Sequence, residues 1–230
     1  AKNILIEEFL EGQEMSFFVI SDGKSFKSFQ TAQDHKRVGE GDVGKNTGGM
    51  GAYCPSNLID KKLEKKIINK IIEPTFKAMK DLGNDYSGFL YAGLMIKNNN
   101  PYLIEYNVRM GDPECQVILP LLKSNFLELI LACNEKRLDD FQVKWKKNKS
   151  MCIVLCSKVY PDKYKKNIEI KNLTKIKEGK NNYLFHAGTN KKGNKFYSTG
   201  GRVLNFVNIS SSFLNSRNNI ISLIKKLNWN

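Results

Sequence analysis

Glu105, Asn107 and Arg109 alternate along the chain directly after an apolar run. In a β-strand, side chains two residues apart lie on the same side. Glu105 and Asn107 would then present two oxygen donors together, and Arg109 would continue that side if the strand persists. Mg²⁺ is commonly held by one or two such side chains plus substrate phosphates, and arginine neutralises a phosphoryl group in transfer. The spacing indicates a metal-and-phosphate site, with a sheet-edge ion pair between Glu105 and Arg109 as the alternative.

The stretch "GKNTGGMGAYCP", residues 44–55, is dense in glycine and has neither strand alternation nor helical spacing. Glycine admits positive φ and lets backbone N–H groups face a ligand. The stretch is therefore either a flexible linker or a ligand-facing surface. On the second interpretation Gly48, Gly49 and Gly51 form the surface, and Met50 anchors the loop in the core.

Two charged stretches accompany this loop. "AQDHKR" ends at Arg37, just before the loop, and "EEFLEGQE" begins at Glu7. The first could hold an anionic group, with a solvated turn as the alternative. In the second, the backbone around Phe9 and Leu10 could read an adenine and a carboxylate could read ribose hydroxyls, with a surface turn as the alternative.

These residues need strands to position them. Residues 3–10 and 14–23 predict two strands around a Glu11-Gly12 turn, and Asp22-Gly23 predicts a hairpin turn into residues 24–32. The segments hold alternating or continuous apolar residues, so we expect them in one largely antiparallel sheet.

Helical spacing of apolar residues appears over residues 58–82. Pro74 is expected to kink or divide this helix. An apolar strand, residues 88–97, and its returning partner, residues 102–109, follow. Residues 116–133 predict a buried helix that breaks near its proline and is capped again by a serine or asparagine.

After residue 144 the sequence changes to short strand patterns joined by turns rich in lysine, asparagine and glycine. A final helix is predicted over residues 212–227. We place a domain boundary at this change, which gives regions 1–144 and 145–230. The missing initiator methionine and the abrupt last residues suggest a piece of a longer protein.

Composition narrows the class of protein. The net charge is +14, yet only five of the 37 basic residues are arginine. Specific base readout favours arginine, so we expect a solvated lysine surface and no nucleic-acid partner. The longest apolar runs are too short for a bilayer, so no membrane is expected. The five cysteines lack CxxC spacing and predict reduced, buried thiols in a cytoplasmic protein.

Six stretches together resemble one family: "IEEFLEGQEMSF", "QDHKRVGEGDVGKNTGGMGAYCP", "GFLYAGLMI", "IEYNVRMGDPECQ", "FHAGT" and "GGRVL". They occur in family order over nearly the whole chain. The chain resembles the C-terminal part of the glycinamide ribonucleotide synthetases, the phosphoribosylamine–glycine ligases of the ATP-grasp superfamily. The resemblance implies an α+β fold. Residues 1–144 would be the C-terminal part of the ATP-grasp core, with a mostly antiparallel sheet and helices, followed by a small mixed α/β domain.

The resemblance also implies a reaction. The family joins glycine to 5-phosphoribosylamine through a glycyl phosphate, and it uses ATP with Mg²⁺ or Mn²⁺ in purine synthesis. Glu105 and Asn107 would bind the metal, and Arg109 would contact the transferring phosphoryl group. The ATP-binding residues would be Glu7, Glu8, Phe9, Leu10 and Glu14. The residues on the acceptor side would be Asp34, Lys36, Arg37, Asn46, Thr47, Gly48, Gly49, Met50, Gly51, Asp112 and Glu114.

Some family features depart or are missing. The family's "GGYP" turn is "KVYP" here, residues 158–161, which puts close backbone approach at that turn in doubt. The family's N-terminal domain and ATP-clamping lid precede the first matching stretch, so the chain alone is expected to be inactive. Their absence should leave apolar surface exposed and cause weak self-association. The alternatives are another ATP-grasp carboxylate–amine ligase and, in a different class, a basic nucleic-acid-binding protein.

Overall fold

The computed structural model describes residues 3–4, 6–177 and 179–229. Every pairing between the described strands is antiparallel. The strands are β1 (Gln13–Asp22), β2 (Phe26–Ser28), β3 (Gln33–Asp34), β4 (Arg37–Gly39), β5 (Val43–Asn46), β6 (Gly51–Cys54), β7 (Ser87–Lys97), β8 (Asn100–Asn107), β9 (Lys149–Cys156), β10 (Ile168–Glu169), β11 (Asn182–His186), β12 (Thr189–Lys192), β13 (Lys195–Ser198) and β14 (Arg202–Ser210).

Five α-helices accompany the strands: α1 (Lys61–Ile67), α2 (Glu73–Asp81), α3 (Glu114–Ile118), α4 (Phe126–Asn134) and α5 (Phe213–Ile224). The described strands form a four-stranded sheet, β2-β1-β7-β8, a five-stranded sheet, β11-β14-β9-β6-β3, and two small sheets, β10-β13-β12 and β4-β5. This mixture of helices and mostly antiparallel sheet confirms the predicted α+β fold. Among the described residues, no helix is long and apolar enough to cross a membrane.

Strand β1 lies in the middle of the first sheet and is buried on both faces. Phe18 and Ile20 enter one core cluster, while Phe17 and Val19 enter another. This division follows the two-residue period of a strand. Asp22 closes the predicted hairpin, because its carboxylate accepts hydrogen bonds from the backbone of the following turn.

The helix predicted over residues 58–82 is divided, as expected. Asp60 caps α1 through a hydrogen bond from Leu63 N, and a π-helical turn, Ile68–Ile72, separates α1 from α2. Pro74 lies in the first turn of α2, where its missing N–H is tolerated. The helix predicted over residues 116–133 is likewise interrupted, by a 3₁₀ turn at Leu119–Leu121, and Asn125 caps α4.

The strand predicted over residues 3–10 is wrong for the residues described there; Leu5 lies outside them. Residues 6–11 have no regular secondary structure, and Ile6 and Phe9 are 89% and 86% exposed. A strand needs a hydrogen-bonded partner, and no described strand pairs with this segment. The apolar pattern alone could not supply that partner.

The predicted boundary near residue 144 stays a prediction. Strands β3 and β6 precede it in the chain but belong to the same five-stranded sheet as β9, β11 and β14, which follow it. The largest core cluster also contains residues from both sides of the boundary. The two regions therefore share a packed interior, which positions loops from each of them at one site.

Candidate active site

Glu105 and Asn107 lie at the end of β8 and pair with Gly93 and Tyr91 of β7. The register shift in this pairing falls before Glu105, so the two side chains stay on one side of the strand, as predicted. Asn107 Nδ2 donates a hydrogen bond to Glu105 Oε1 over 3.1 Å. This bond uses the amide nitrogen, so the lone pairs of Asn107 Oδ1 stay available to a metal ion.

The donor set at the end of β8 fits a cation that is shared with a bound phosphate. Within the described part of the chain, no group of three or more His, Cys, Asp or Glu side chains could hold a metal by itself. Mg²⁺ accepts one or two protein oxygens when waters and phosphates complete its shell. Glu105 and Asn107 suit that arrangement and do not suit a site built only from protein ligands.

Two carboxyl groups, one buried and one half-buried, lie nearby. Glu114 begins α3 and is 3% exposed. Its Oε1 accepts a hydrogen bond from Ser16 Oγ over 3.0 Å, and Ser16 Oγ is 2.9 Å from Tyr91 Oη. Asp34, on β3, has a buried Oδ1 without a hydrogen-bond partner. Burial, and then the charge of Glu114, raises the pKa of Asp34 to about 7.

Lys36 connects these carboxyl groups. Its Nζ lies 2.6 Å from Glu14 Oε2. Burial would lower the pKa of Lys36, but the hydrogen bond and charge of Glu14, with the charges of Asp34 and Glu105, raise it overall. One ammonium therefore forms an ion pair with a β1 carboxylate, and the charges of half-buried Asp34 and of Glu105 also act on it. Residues from distant parts of the sequence therefore lie close together here, and the cluster contains both carboxylate and ammonium groups.

The glycine-rich loop is ordered by hydrogen bonds. Thr47 Oγ1 donates to Lys36 O over 2.8 Å and accepts from Gly49 N over 3.1 Å. Met50 N donates to His35 O. These bonds fasten the loop alongside the charged stretch that precedes it. The linker interpretation is therefore wrong, because a flexible linker would not form these contacts.

Of the three glycines expected to face a ligand, only Gly49 has positive φ, at +109°. A Cβ on Gly49 would lie 2.6 Å from Pro113 Cδ and 2.8 Å from Asp34 Oδ1. Gly51 instead lies in β6, where a Cβ would lie 2.5 Å from Cys152 O. The loop thus packs directly on Asp34, and Gly51 permits close strand packing.

Two family profiles match this chain. The phosphoribosylglycinamide synthetase ATP-grasp (A) domain matches residues 1–115, and the phosphoribosylglycinamide synthetase C domain matches residues 150–230.

The chain belongs to the phosphoribosylglycinamide synthetase family. A phosphoribosylamine–glycine ligase from Vigna unguiculata is 42% identical over 98% of the chain and 74% of the relative. One from Agrobacterium fabrum is 44% identical over 98% of the chain and 53% of the relative. The crystal structure of the ligase from Thermotoga maritima matches with a TM-score of 0.86 and 33% identity, over 97% of the chain and 55% of that structure. The chain spans about half the length of the bacterial relatives it matches.

Within this synthetase fold, Arg109 does not continue β8. The strand ends at Asn107, and Arg109 is exposed in a bend, with Nη1 donating to Met110 O over 3.0 Å. The condition for Arg109 to share the side of Glu105, that the strand persists to residue 109, is therefore not met. The alternative ion pair between Glu105 and Arg109 is also not among the ion pairs of the described residues.

The other residues predicted to bind ATP or the acceptor substrates lie in several different parts of the structure. Glu7, Glu8 and Phe9 are exposed in the irregular segment ahead of β1, so their adenine-binding role stays a prediction. Arg37 donates from Nη1 to Gly44 O over 2.9 Å and thereby fastens the β4–β5 hairpin, and exposed Asn46 ends β5.

Sequence reasoning missed Arg202 and Tyr160. Arg202 contacts both the glycine-rich loop and Asp112, and Tyr160 contacts the same loop. The arginine lies in the matching stretch "GGRVL", and that match was the available signal. Its target could not be read from the sequence, because Arg202 and Gly48 are 154 residues apart.

Proposed function

We propose that this chain is part of an ATP-dependent ligase that joins glycine to 5-phosphoribosylamine in de novo purine synthesis. The products would be glycinamide ribonucleotide, ADP and phosphate. One observation carries the proposal: in a chain of this synthetase family, Lys36 forms an ion pair with Glu14 over 2.6 Å, next to the glycine-rich loop that its backbone carbonyl holds. The charges of Asp34 and Glu105 help to raise the pKa of Lys36, which supports an arrangement with the proposed metal-side and acceptor-side groups near one another.

In the proposed reaction, a glycine carboxylate oxygen takes the γ-phosphoryl group of ATP, and ADP leaves. The amine of phosphoribosylamine then attacks the carbonyl carbon of glycyl phosphate. The bond from that carbon to the phosphate oxygen breaks, phosphate leaves, and the amine loses a proton. Such chemistry depends on positioning and charge stabilisation.

The residues of the chain divide between these tasks. Glu105 and Asn107 would hold Mg²⁺ or Mn²⁺, which neutralises phosphate charge when bound. Arg109 would move to the transferring phosphoryl group, and the exposed position of its side chain leaves room for that movement. Asp34, with its unpartnered Oδ1, would face the amino group of a substrate.

The glycine-rich loop and the Asp112–Glu114 segment would line the acceptor side, although the N–H groups of Thr47, Gly48, Gly49 and Met50 already donate within the protein. The irregular segment ahead of β1, with Glu14, would line the adenosine side. A cytoplasmic location belongs to the proposal and is supported by five free cysteines. Burial raises the pKa of Cys156 to about 11, which does not suit a thiolate nucleophile.

Half of the bacterial relatives' length lies outside the match. We propose that an N-terminal domain and a lid, in the same or a partner chain, complete the ATP clamp and the phosphoribosylamine site. The division into regions 1–144 and 145–230 is also a proposal. It is supported by the two profiles, which leave residues 116–149 unmatched between them.

A chimera tests the function. This chain replaces the matching segment of the Agrobacterium fabrum ligase, and product formation from glycine, phosphoribosylamine and ATP is followed by mass spectrometry. We expect glycinamide ribonucleotide from the chimera and none from the 230-residue chain alone. A folded chimera that uses ATP with a different acceptor amine, and not with phosphoribosylamine, would refute the assignment. The Glu73→Gln chimera is the matched control, since Glu73 is an exposed residue of α2.

A further inference from the structure

The stretches "FHAGT" and "GGRVL" have no role in the chemistry above, yet they lie back to back. A Cβ on Gly188 would lie 2.5 Å from Gly200 Cα, and one on Gly201 would lie 2.3 Å from the Tyr160 ring. Gly188 N donates to Arg202 O over 3.0 Å and joins the two stretches. Ser157 holds the second stretch, since its N donates to Gly201 O and its Oγ donates to Gly200 O, each over 2.7 Å. The glycines therefore allow Tyr160 to pack directly against the start of β14, where Arg202 begins the strand.

Both side chains contact Gly48 of the glycine-rich loop. Gly48 N donates to Tyr160 Oη over 3.1 Å, and Arg202 Nη1 donates to Gly48 O over 2.6 Å. A Cβ on Gly48 would lie 3.2 Å from the Arg202 guanidinium. The loop residue is thus held through its donor and its acceptor by the C-terminal region.

The same guanidinium holds a second loop. Arg202 Nη1 donates to Asp112 O over 2.7 Å, and Nη2 lies 3.3 Å from Asp112 Oδ2. The Arg202 side chain is 22% exposed, so water screens these contacts less than at an open surface. Arg202 Nη1 therefore joins the backbones of two loops, and Nη2 adds the Asp112 carboxylate. The single ammonium of lysine does not reproduce contacts from two nitrogens in one plane.

We infer that Arg202, supported by Tyr160, is a positioning residue that holds the glycine-rich loop and the Asp112–Glu114 segment in a fixed relation. The C-terminal region would thereby set the width of the acceptor side without touching the reacting atoms. The consequence for substrate binding rests on the proposed function. The connection between the two loops does not rest on the proposed function, because it consists of hydrogen bonds within this chain.

Hydrogen–deuterium exchange on the 230-residue chain tests the link. The N–H groups of Thr47, Gly48, Gly49 and Met50 donate within or next to the loop. Arg202→Ala removes two backbone contacts, so we expect these amides to exchange about tenfold faster or more. Amides of the buried strand β1 should be unchanged. The matched control is Arg217→Ala, because Arg217 is an exposed arginine of α5.

Two further variants separate positioning from general stability. Tyr160→Phe removes only the hydroxyl, so exchange should accelerate at Gly48 and stay unchanged in β1. Arg202→Lys should restore part of the protection. Unchanged exchange over residues 47–50 in Arg202→Ala, or uniform acceleration that includes β1, would overturn the inference.

The chimeric ligase supplies the functional readout. Arg202→Ala should raise KM for glycine and for phosphoribosylamine about tenfold, with KM for ATP within about twofold. An equal rise for ATP, or no rise for either acceptor-side substrate, would count against the positioning role. If the unsubstituted chimera forms no product, the proposed function fails, and the exchange experiment still decides the link between the loops.

Discussion

Asp34 has a carboxyl group whose charge is unfavourable in the folded protein. Its Oδ1 is buried without a hydrogen-bond partner and lies against the glycine-rich loop. Charge on such a group is unfavourable unless a partner arrives. Burial and the nearby Glu114 carboxylate therefore raise the pKa of Asp34 to about 7, and this makes the protein's stability depend on pH.

The sign of that dependence follows from linkage. Because the folded-state pKa is raised, the Asp34 contribution to stability is fully present below the unfolded pKa near 4 and is lost as pH rises through about 7. Asp34→Asn removes this dependence. Between pH 5 and pH 8 the variant should gain about 2 to 3 kcal/mol relative to the unsubstituted chain, measured by urea unfolding at each pH. Asp81→Asn, at the exposed end of α2, should show no such gain; an identical pH response in both variants would contradict the assignment.

The metal-side residues make a second prediction at this scale. Glu105→Gln keeps the shape of the side chain and removes its charge, so Mn²⁺ should bind at least about tenfold more weakly in the presence of ADP. Free Mn²⁺ is measured by electron paramagnetic resonance. Asn107→Ala should act in the same direction, and Glu73→Gln should bind like the unsubstituted chain. Equal Mn²⁺ binding by all four proteins would place the cation elsewhere.

At the scale of elements, the turn "KVYP" carries backbone strain. Val159 has φ of +65° and is 60% exposed, although a β-branched residue disfavours the left-handed region. The turn nevertheless delivers Tyr160 to the glycine-rich loop. The contact with the loop is thus made by a side chain, at a cost in local strain at Val159, and close approach of the turn's backbone stays in doubt.

Val159→Gly should therefore stabilise the chain. Relief of left-handed strain contributes about 1 to 2 kcal/mol, and the greater freedom of unfolded glycine offsets about 0.5 to 1 kcal/mol. We expect a net gain of about 1 kcal/mol in the free energy of unfolding, measured with urea. Val43→Gly is the matched control: Val43 is an exposed valine in β5 without positive φ. That change should destabilise, and the same sign for both variants would refute the strain argument.

The whole molecule exposes several large apolar side chains along β8 and the segment ahead of β1. They are Ile4, Ile6, Phe9, Tyr102, Leu103, Ile104 and Tyr106, with Val108 directly after β8. Weak self-association through this surface stays a prediction, and the net charge of +14 opposes it by repulsion.

Salt should therefore strengthen the association, because it screens the repulsion and leaves apolar contacts in place. Sedimentation equilibrium at low and high salt measures the mass. We expect a concentration-dependent rise that grows with salt, and a smaller rise for Ile104→Lys. Association that weakens as salt is added would instead indicate contacts between opposite charges.

Local patterns in the sequence determined much of this molecule. The β7–β8 hairpin, the divided helix around Pro74 and the Asn125 cap follow from side-chain periods and capping groups that act within a few residues. The shared side of Glu105 and Asn107 follows from the same short-range geometry. The family resemblance came from ordered motifs, and it pointed to the A and C domains that the profiles match.

Tertiary structure alone decided the rest. The strand expected over residues 3–10 failed because strand formation depends on a partner elsewhere in the chain. Strand alternation does not extend to Arg109, because β8 ends at Asn107 and the chain bends there. Lys36 pairs with Glu14, and Arg202 reaches Gly48, only because packing brings distant segments together. Such contacts depend on long-range packing, and no local spacing in the sequence specifies which distant residue will be the neighbour.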